Sequence, residues 1–76
     1  MTAEEIRAKI EGGLPGSQVQ VRDTTGTGDH FEAVVVAEQF AGKNMVEQHR
    51  MVYSILGSAM AGPIHALALR TSATVS

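Results

Sequence analysis

Two histidines, His30 and His65, carry most of the chemical capacity of this sequence. Imidazole nitrogen is a good ligand for iron, zinc or copper. Two imidazoles brought together supply half of a four-coordinate site. The chain has no cysteine, so the other donors would have to come from elsewhere. No zinc signature of the HExxH or Cys/His kind is present, and the alternative reading of each histidine as a plain surface or core residue stays open.

The remaining polar groups are weaker candidates. His49 falls on an apolar helical stripe beside Arg50, where it is either a partly buried, hydrogen-bonded histidine or a contact residue. Arg50 is expected to be exposed, on a face able to meet an acidic partner. Tyr53, one turn on, is expected to pack its ring and leave its hydroxyl wet. Lys43 and Asn44 precede the same helix, within reach of a phosphate. Thr25-Gly26-Thr27-Gly28 lacks the Gly-Lys-Ser/Thr of a phosphate loop and leads into a strand, not a helix. Ser54 and Ser58 have no base and carboxylate arranged around them. Glu32 and Glu38, read as six apart on one strand, would stand about 20 Å from each other, too far for paired acid/base work. The case for an enzyme is poor.

The elements that must position these residues follow from periodicity. Thr2-Ala3-Glu4-Glu5 reads as a capping box, and Ile6, Ile10 and Leu14 continue it as one apolar stripe. A first helix is therefore expected over residues 3–12, stopped by Gly12-Gly13 and Pro15-Gly16. Residues 17–23 alternate, with Val19 and Val21 on one face, as in a half-buried strand. Residues 24–29 form a turn-rich connector, and residues 30–38, centred on Val34-Val35-Val36, form the second strand. Met45, His49, Val52, Leu56 and Met60 mark one face of a helix over 45–60, ended by Gly62-Pro63. Residues 64–70 alternate as a short third strand, and a frayed tail follows.

The order is α-β-β-α-β. The first two strands make an antiparallel hairpin, and the crossover through the second helix sets strands two and three parallel. This predicts an α/β chain of the α+β two-layer sandwich kind, with a three-stranded mixed sheet and both helices on one face. His30 opens the second strand and His65 the third, so both are expected near the same end of the sheet.

Length and composition bound the rest. The 76 residues hold one domain with a thin core. The absence of cysteine removes disulfide staples, an all-cysteine metal site and a thiol nucleophile, and fits a cytoplasmic protein. No run approaches the roughly 20 apolar residues of a membrane span, and the acidic N-terminus is no secretory signal. The formal net charge of −2, from six basic and eight acidic residues, argues against phosphate neutralisation as the main role.

Four segments now carry a resemblance. Gly28-Asp29-His30-Phe31-Glu32, Phe40-Ala41-Gly42-Lys43, Gln48-His49-Arg50-Met51-Val52-Tyr53 and Ile64-His65-Ala66-Leu67 are similar, in order and spacing, to landmarks of the BolA-like proteins, from about Ile6 to Thr71. The resemblance implies a fold related to the class II KH domain. It also implies pairing with a monothiol glutaredoxin and a shared 2Fe–2S cluster, for which the glutaredoxin and glutathione supply thiolates. The family's C-terminal ligand histidine falls on His65, and its second ligand, a histidine or cysteine of the loop between the first two strands, falls on His30. Mixed ligation of this kind resembles Rieske centres, where imidazole raises the potential.

The function implied is an adaptor in iron–sulfur trafficking or iron sensing, a monomer alone or a weak homodimer, with a partner surface of Gly28, Asp29, His49 and Arg50. The alternative is a nucleic-acid-binding regulator using Lys43, Asn44 and Arg50. A KH domain grips nucleic acid through a GXXG loop, and Ala41-Gly42-Lys43-Asn44 offers one glycine. A third reading is a structural interaction domain with no metal.

Overall fold

The computed structural model describes residues 1–62, 64 and 66–74; His65, Pro63, Val75 and Ser76 lie outside the described residues. The elements are α1 (Ala3–Gly13), β1 (Gln18–Asp23), β2 (His30–Val36), α2 (Met45–Leu56) and β3 (Ala66–Ser72), with single 3-10 turns at Glu38–Phe40 and Gly57–Ala61. The sheet order is β1-β2-β3. β1 and β2 pair antiparallel, Val19 against Val35. β2 and β3 pair parallel, His30 against Ala66 and Val36 against Ser72. This is the α-β-β-α-β mixed-sheet arrangement expected from the pattern.

Both helices start from full capping boxes. Thr2 accepts from the Glu5 amide and Glu5 returns the bond to Thr2, while Asn44 and Glu47 do the same for α2. Each box satisfies donors that a helix start otherwise leaves orphaned. The stripe Ile6, Ile10 and Leu14 is buried, as are Val19, Phe31, Ala33 and Val35 from the inner face of the sheet, with Phe40, Val52, Leu56 and Ile64 closing the core. Burying each large side chain of this set contributes about 1.5–3 kcal/mol. Gln18, Gln20, Arg22, Val34, Ala66, Ala68 and Arg70 alternate outward and are exposed, so both helices lie on one side of the sheet.

Several boundaries differ from expectation, among them the starts of β1 at Gln18 and of β3 at Ala66. α1 runs one residue further, through Gly13, where the missing side chain lets the helix approach α2: a Cβ there would stand 2.6 Å from Ile55 Cγ1. β2 stops at Val36, so Glu38 lies in the following turn and not on the strand with Glu32. α2 ends at Leu56, since Gly57 turns the chain at φ +56° and its amide reaches the Tyr53 carbonyl. β3 runs through Thr71 and Ser72, which pair with Val35 and Val36.

The buried stripe of α2 is also not the one that hydropathy selects. Gln48, Val52 and Leu56 are buried, with Met51 and Ile55 packed beside them, while Met45 is 55% exposed. Inside, the Gln48 Nε2 donates to the Lys43 carbonyl at 2.8 Å and ties down the loop before the helix, while its Oε1 is buried with no hydrogen-bond partner among the described residues. No helix among the described residues is long and apolar enough to cross a membrane.

Candidate functional site

The loop from Asp23 to His30 is built by two carboxylates. Asp23 accepts the amides of Thr25 (3.2 Å), Gly26 (2.8 Å) and Gly28 (2.9 Å). Three amides that could face a phosphate are therefore already turned onto the chain's own aspartate, the physical reason this glycine-rich segment is no phosphate loop. Gly26 and Gly28 sit at φ +74° and +78°, values that bend the loop around Asp23 without a Cβ clash.

Asp29 is the second carboxylate. Its Oδ1 accepts from the Thr27 hydroxyl, from the Thr25 hydroxyl at 3.4 Å and from His30 Nδ1 at 2.9 Å. The two threonine hydroxyls also lie 2.6 Å apart. The Thr27 hydrogen bond, followed by that to His30, pushes the Asp29 carboxyl down to about 2, because each favours the charged form. The Asp29 main-chain carbonyl meanwhile accepts the Ala66 amide at 3.0 Å. One residue thus holds the His30 ring with its side chain and the first residue of β3 with its backbone.

His30 opens the central strand, half-exposed, its side chain 41% accessible. The parallel register sets it opposite Ala66, and His65 is the residue before Ala66 in the chain. The two strand starts therefore share one end of the sheet, beside the Asp23–Asp29 loop. Among the described residues, no three His, Cys, Asp or Glu side chains gather closely enough to hold a metal ion.

The other candidates sit elsewhere. Thr71, five residues beyond Ala66, donates to the Met45 sulfur at 3.4 Å, so the start of α2 lies toward the far end of β3, about 16 Å along the strand from Ala66. Lys43 and Asn44 belong to that far end. The Asn44 side chain is occupied as a helix cap, and the Glu47 carboxylate returns to the Asn44 amide at 3.0 Å. An acidic group therefore already fills the positive end of α2, which weakens it as a phosphate site. His49 and Arg50 lie one turn further along α2. The His49 ring meets Tyr53 edge-on, centroids 6.4 Å apart. Its Nε2 is buried with no hydrogen-bond partner among the described residues, so the reading of His49 as a hydrogen-bonded histidine does not hold at that atom. Arg50 is exposed.

Asp23 is not among the residues that the sequence singles out, and Thr25 and Thr27 enter there only as part of a rejected phosphate loop. Their signal is the run Asp23-Thr24-Thr25-Gly26-Thr27-Gly28-Asp29, in which aspartates and threonines fold back on nearby amides and hydroxyls.

Comparison with known proteins completes the description. The profile of the family described as BolA-like protein matches residues 13–75. Protein BOLA2 of Arabidopsis thaliana is 39% identical over 75 residues, covering 97% of this chain and 80% of that protein. The DNA-binding transcriptional regulator BolA of Escherichia coli is 32% identical over 78 residues, covering 93% of this chain and 74% of that protein. BolA-like protein 1 of Mus musculus is 35% identical over 72 residues, and the match takes in 86% of this chain but only about half, 53%, of the mouse protein. A solved bolA homologue from Coxiella burnetii superposes with a TM-score of 0.80 at 44% identity, covering 95% of this chain and 90% of that one.

Proposed function

This chain belongs to the BolA-like family, and on that footing we propose that it is an interaction module, not an enzyme, which pairs with a monothiol glutaredoxin and co-ligates a 2Fe–2S cluster with it. The observation that supports this most directly is the parallel register of β2 on β3. With His30 opposite Ala66, the residue that follows His65 in the sequence, the starts of β2 and β3 share one sheet end, beside an exposed loop.

The donor set suits a shared site. A chain without cysteine, and without three clustered donors among its described residues, contributes imidazole and leaves thiolates to the partner. A cluster bound in this way supplies one-electron chemistry at a potential raised by imidazole ligation. The chain's own part is to orient its donors and to offer a docking surface. Gly28 and Asp29, on the loop beside His30, lie at that surface. His49 and Arg50 of α2 extend it only if the partner reaches along the helix.

The test is visible circular dichroism on anaerobic mixing with a cluster-loaded monothiol glutaredoxin, with His65→Ala and His30→Ala alongside. A new spectrum that disappears with His65→Ala and changes with His30→Ala is expected. An unchanged spectrum with no complex on a sizing column refutes the proposal.

Nucleic-acid binding is the second reading, favoured by the name of the Escherichia coli relative. Lys43 and Arg50 are the cations near the start of α2, with Asn44 committed to its cap and Glu47 beside it. Binding to DNA that weakens steeply with salt, and weakens further in Lys43→Ala, is the outcome that would favour it.

A further inference from the structure

We propose that Asp29 is a positioning residue for His30: it keeps the ring proton on Nδ1 and so presents Nε2 as the metal-binding nitrogen. The inference deepens the shared-cluster reading and rests on it. An ionised carboxylate can only accept a hydrogen bond, so the 2.9 Å contact between Asp29 Oδ1 and His30 Nδ1 requires Nδ1 to be the donor. The neutral ring then carries its lone pair on Nε2. Histidines that bind metals commonly have their other nitrogen held in this way, which fixes ring orientation and raises ligand basicity.

What distinguishes this contact from a chance surface pair is how firmly Asp29 itself is held. Thr27 and Thr25 donate their hydroxyls to the same Oδ1, and those hydroxyls are set by a loop wound on Asp23. The Asp29 carbonyl is bonded to the Ala66 amide, so the carboxylate cannot drift from the strand start that follows His65. Rotation of the His30 ring is thus tied to the β2–β3 junction through Asp29. A carboxylate fixed in this way gives the ring one tautomer and one direction before any partner arrives, which lowers the ordering cost of complex formation.

The experiment is a long-range 1H–15N spectrum of the 15N-labelled chain at about pH 8, above the ordinary imidazole range. It is run on the wild type, Asp29→Ala and Thr27→Val, and each chain is then titrated with cluster-loaded monothiol glutaredoxin under visible circular dichroism. In the wild type the His30 proton is expected on Nδ1. In Asp29→Ala it moves toward Nε2, its usual seat in free imidazole side chains, while Thr27→Val, which keeps Asp29, gives a smaller movement in the same direction. Asp29→Ala also raises the glutaredoxin concentration at half-maximal signal by about 10–100-fold. A wild-type proton on Nε2, or an Nδ1 proton that Asp29→Ala leaves in place, overturns the inference whatever the titration shows. A wild-type titration without any new spectrum overturns the shared-cluster reading, and Asp29's part in ligation with it, even with the tautomer as expected.

Discussion

Gly12 and Gly13 are adjacent, helical and predicted to respond to alanine with opposite signs. A Cβ built on Gly12 meets nothing within 4 Å, whereas one on Gly13 stands 2.6, 2.7 and 2.8 Å from Ile55 Cγ1, Cγ2 and Cδ1. Carbon atoms pack at about 3.5–4.0 Å, so the overlap is near 1 Å. Two of the three atoms are bound to the Ile55 Cβ, and a branched side chain has few rotamers to escape into. Forcing an extra methyl into such a contact costs about 1–3 kcal/mol, against a gain of about 0.5–1 kcal/mol for replacing glycine inside a helix. Gly13→Ala should therefore lose about 1–2 kcal/mol and Gly12→Ala gain about 0.5 kcal/mol, both before fraying of the last turn is considered. At about 4–8 °C per kcal/mol for a domain of this size, Tm falls by about 5–15 °C in the first and rises by about 2–4 °C in the second. Thermal and urea unfolding followed by far-UV circular dichroism measures both. Adding Ile55→Ala should remove most of the Gly13→Ala penalty, a coupling of at least about 0.5 kcal/mol. If Gly13→Ala matches Gly12→Ala, α1 and α2 are not in the close contact described and the account of where α1 ends is wrong.

Two further outcomes follow from the sheet and from the first capping box. Val35 is fully buried and Val34 37% exposed, so Val35→Thr should cost about 1–3 kcal/mol for an unpaired buried hydroxyl while Val34→Thr stays within about 0.5 kcal/mol; equal losses in urea unfolding would mean that the outer sheet face is covered. Glu5 is held below its ordinary value by the Thr2 amide first and the Thr2 hydroxyl second, and a depressed folded-state value stabilises above the unfolded one and is lost as pH falls through the folded one. The stability advantage of the wild type over Glu5→Gln should therefore shrink between about pH 6 and about pH 3, and an advantage that stays constant over that window contradicts the charged capping box.

The features legible in the sequence are those that one residue type or one period decides alone. Thr2 with Glu5, the stripe Ile6-Ile10-Leu14, and the alternation through Val19 and Val21 each have a single low-energy interpretation, and each appears in the structure. The parallel β2–β3 pairing was legible because a helix between two strands leaves little other choice. α2 was read less well. Two stripes share Val52 and Leu56, and hydropathy chooses Met45 and His49 over Gln48; the decision rests on a hydrogen bond from Gln48 to the Lys43 carbonyl, a contact five residues back that no period encodes. The same holds at the candidate site. His30 stood out by its chemistry, but the aspartates that shape its surroundings look like ordinary turn residues. Asp23 and Asp29 differ in role only because the loop folds one carboxylate onto three amides and turns the other toward two hydroxyls and an imidazole. A residue that acts through another residue carries no signal of its own type. It becomes visible only once the backbone has brought its partners within reach, and Asp29, bonded at once to His30 and to Ala66, is where the fold and the proposed chemistry of this chain meet.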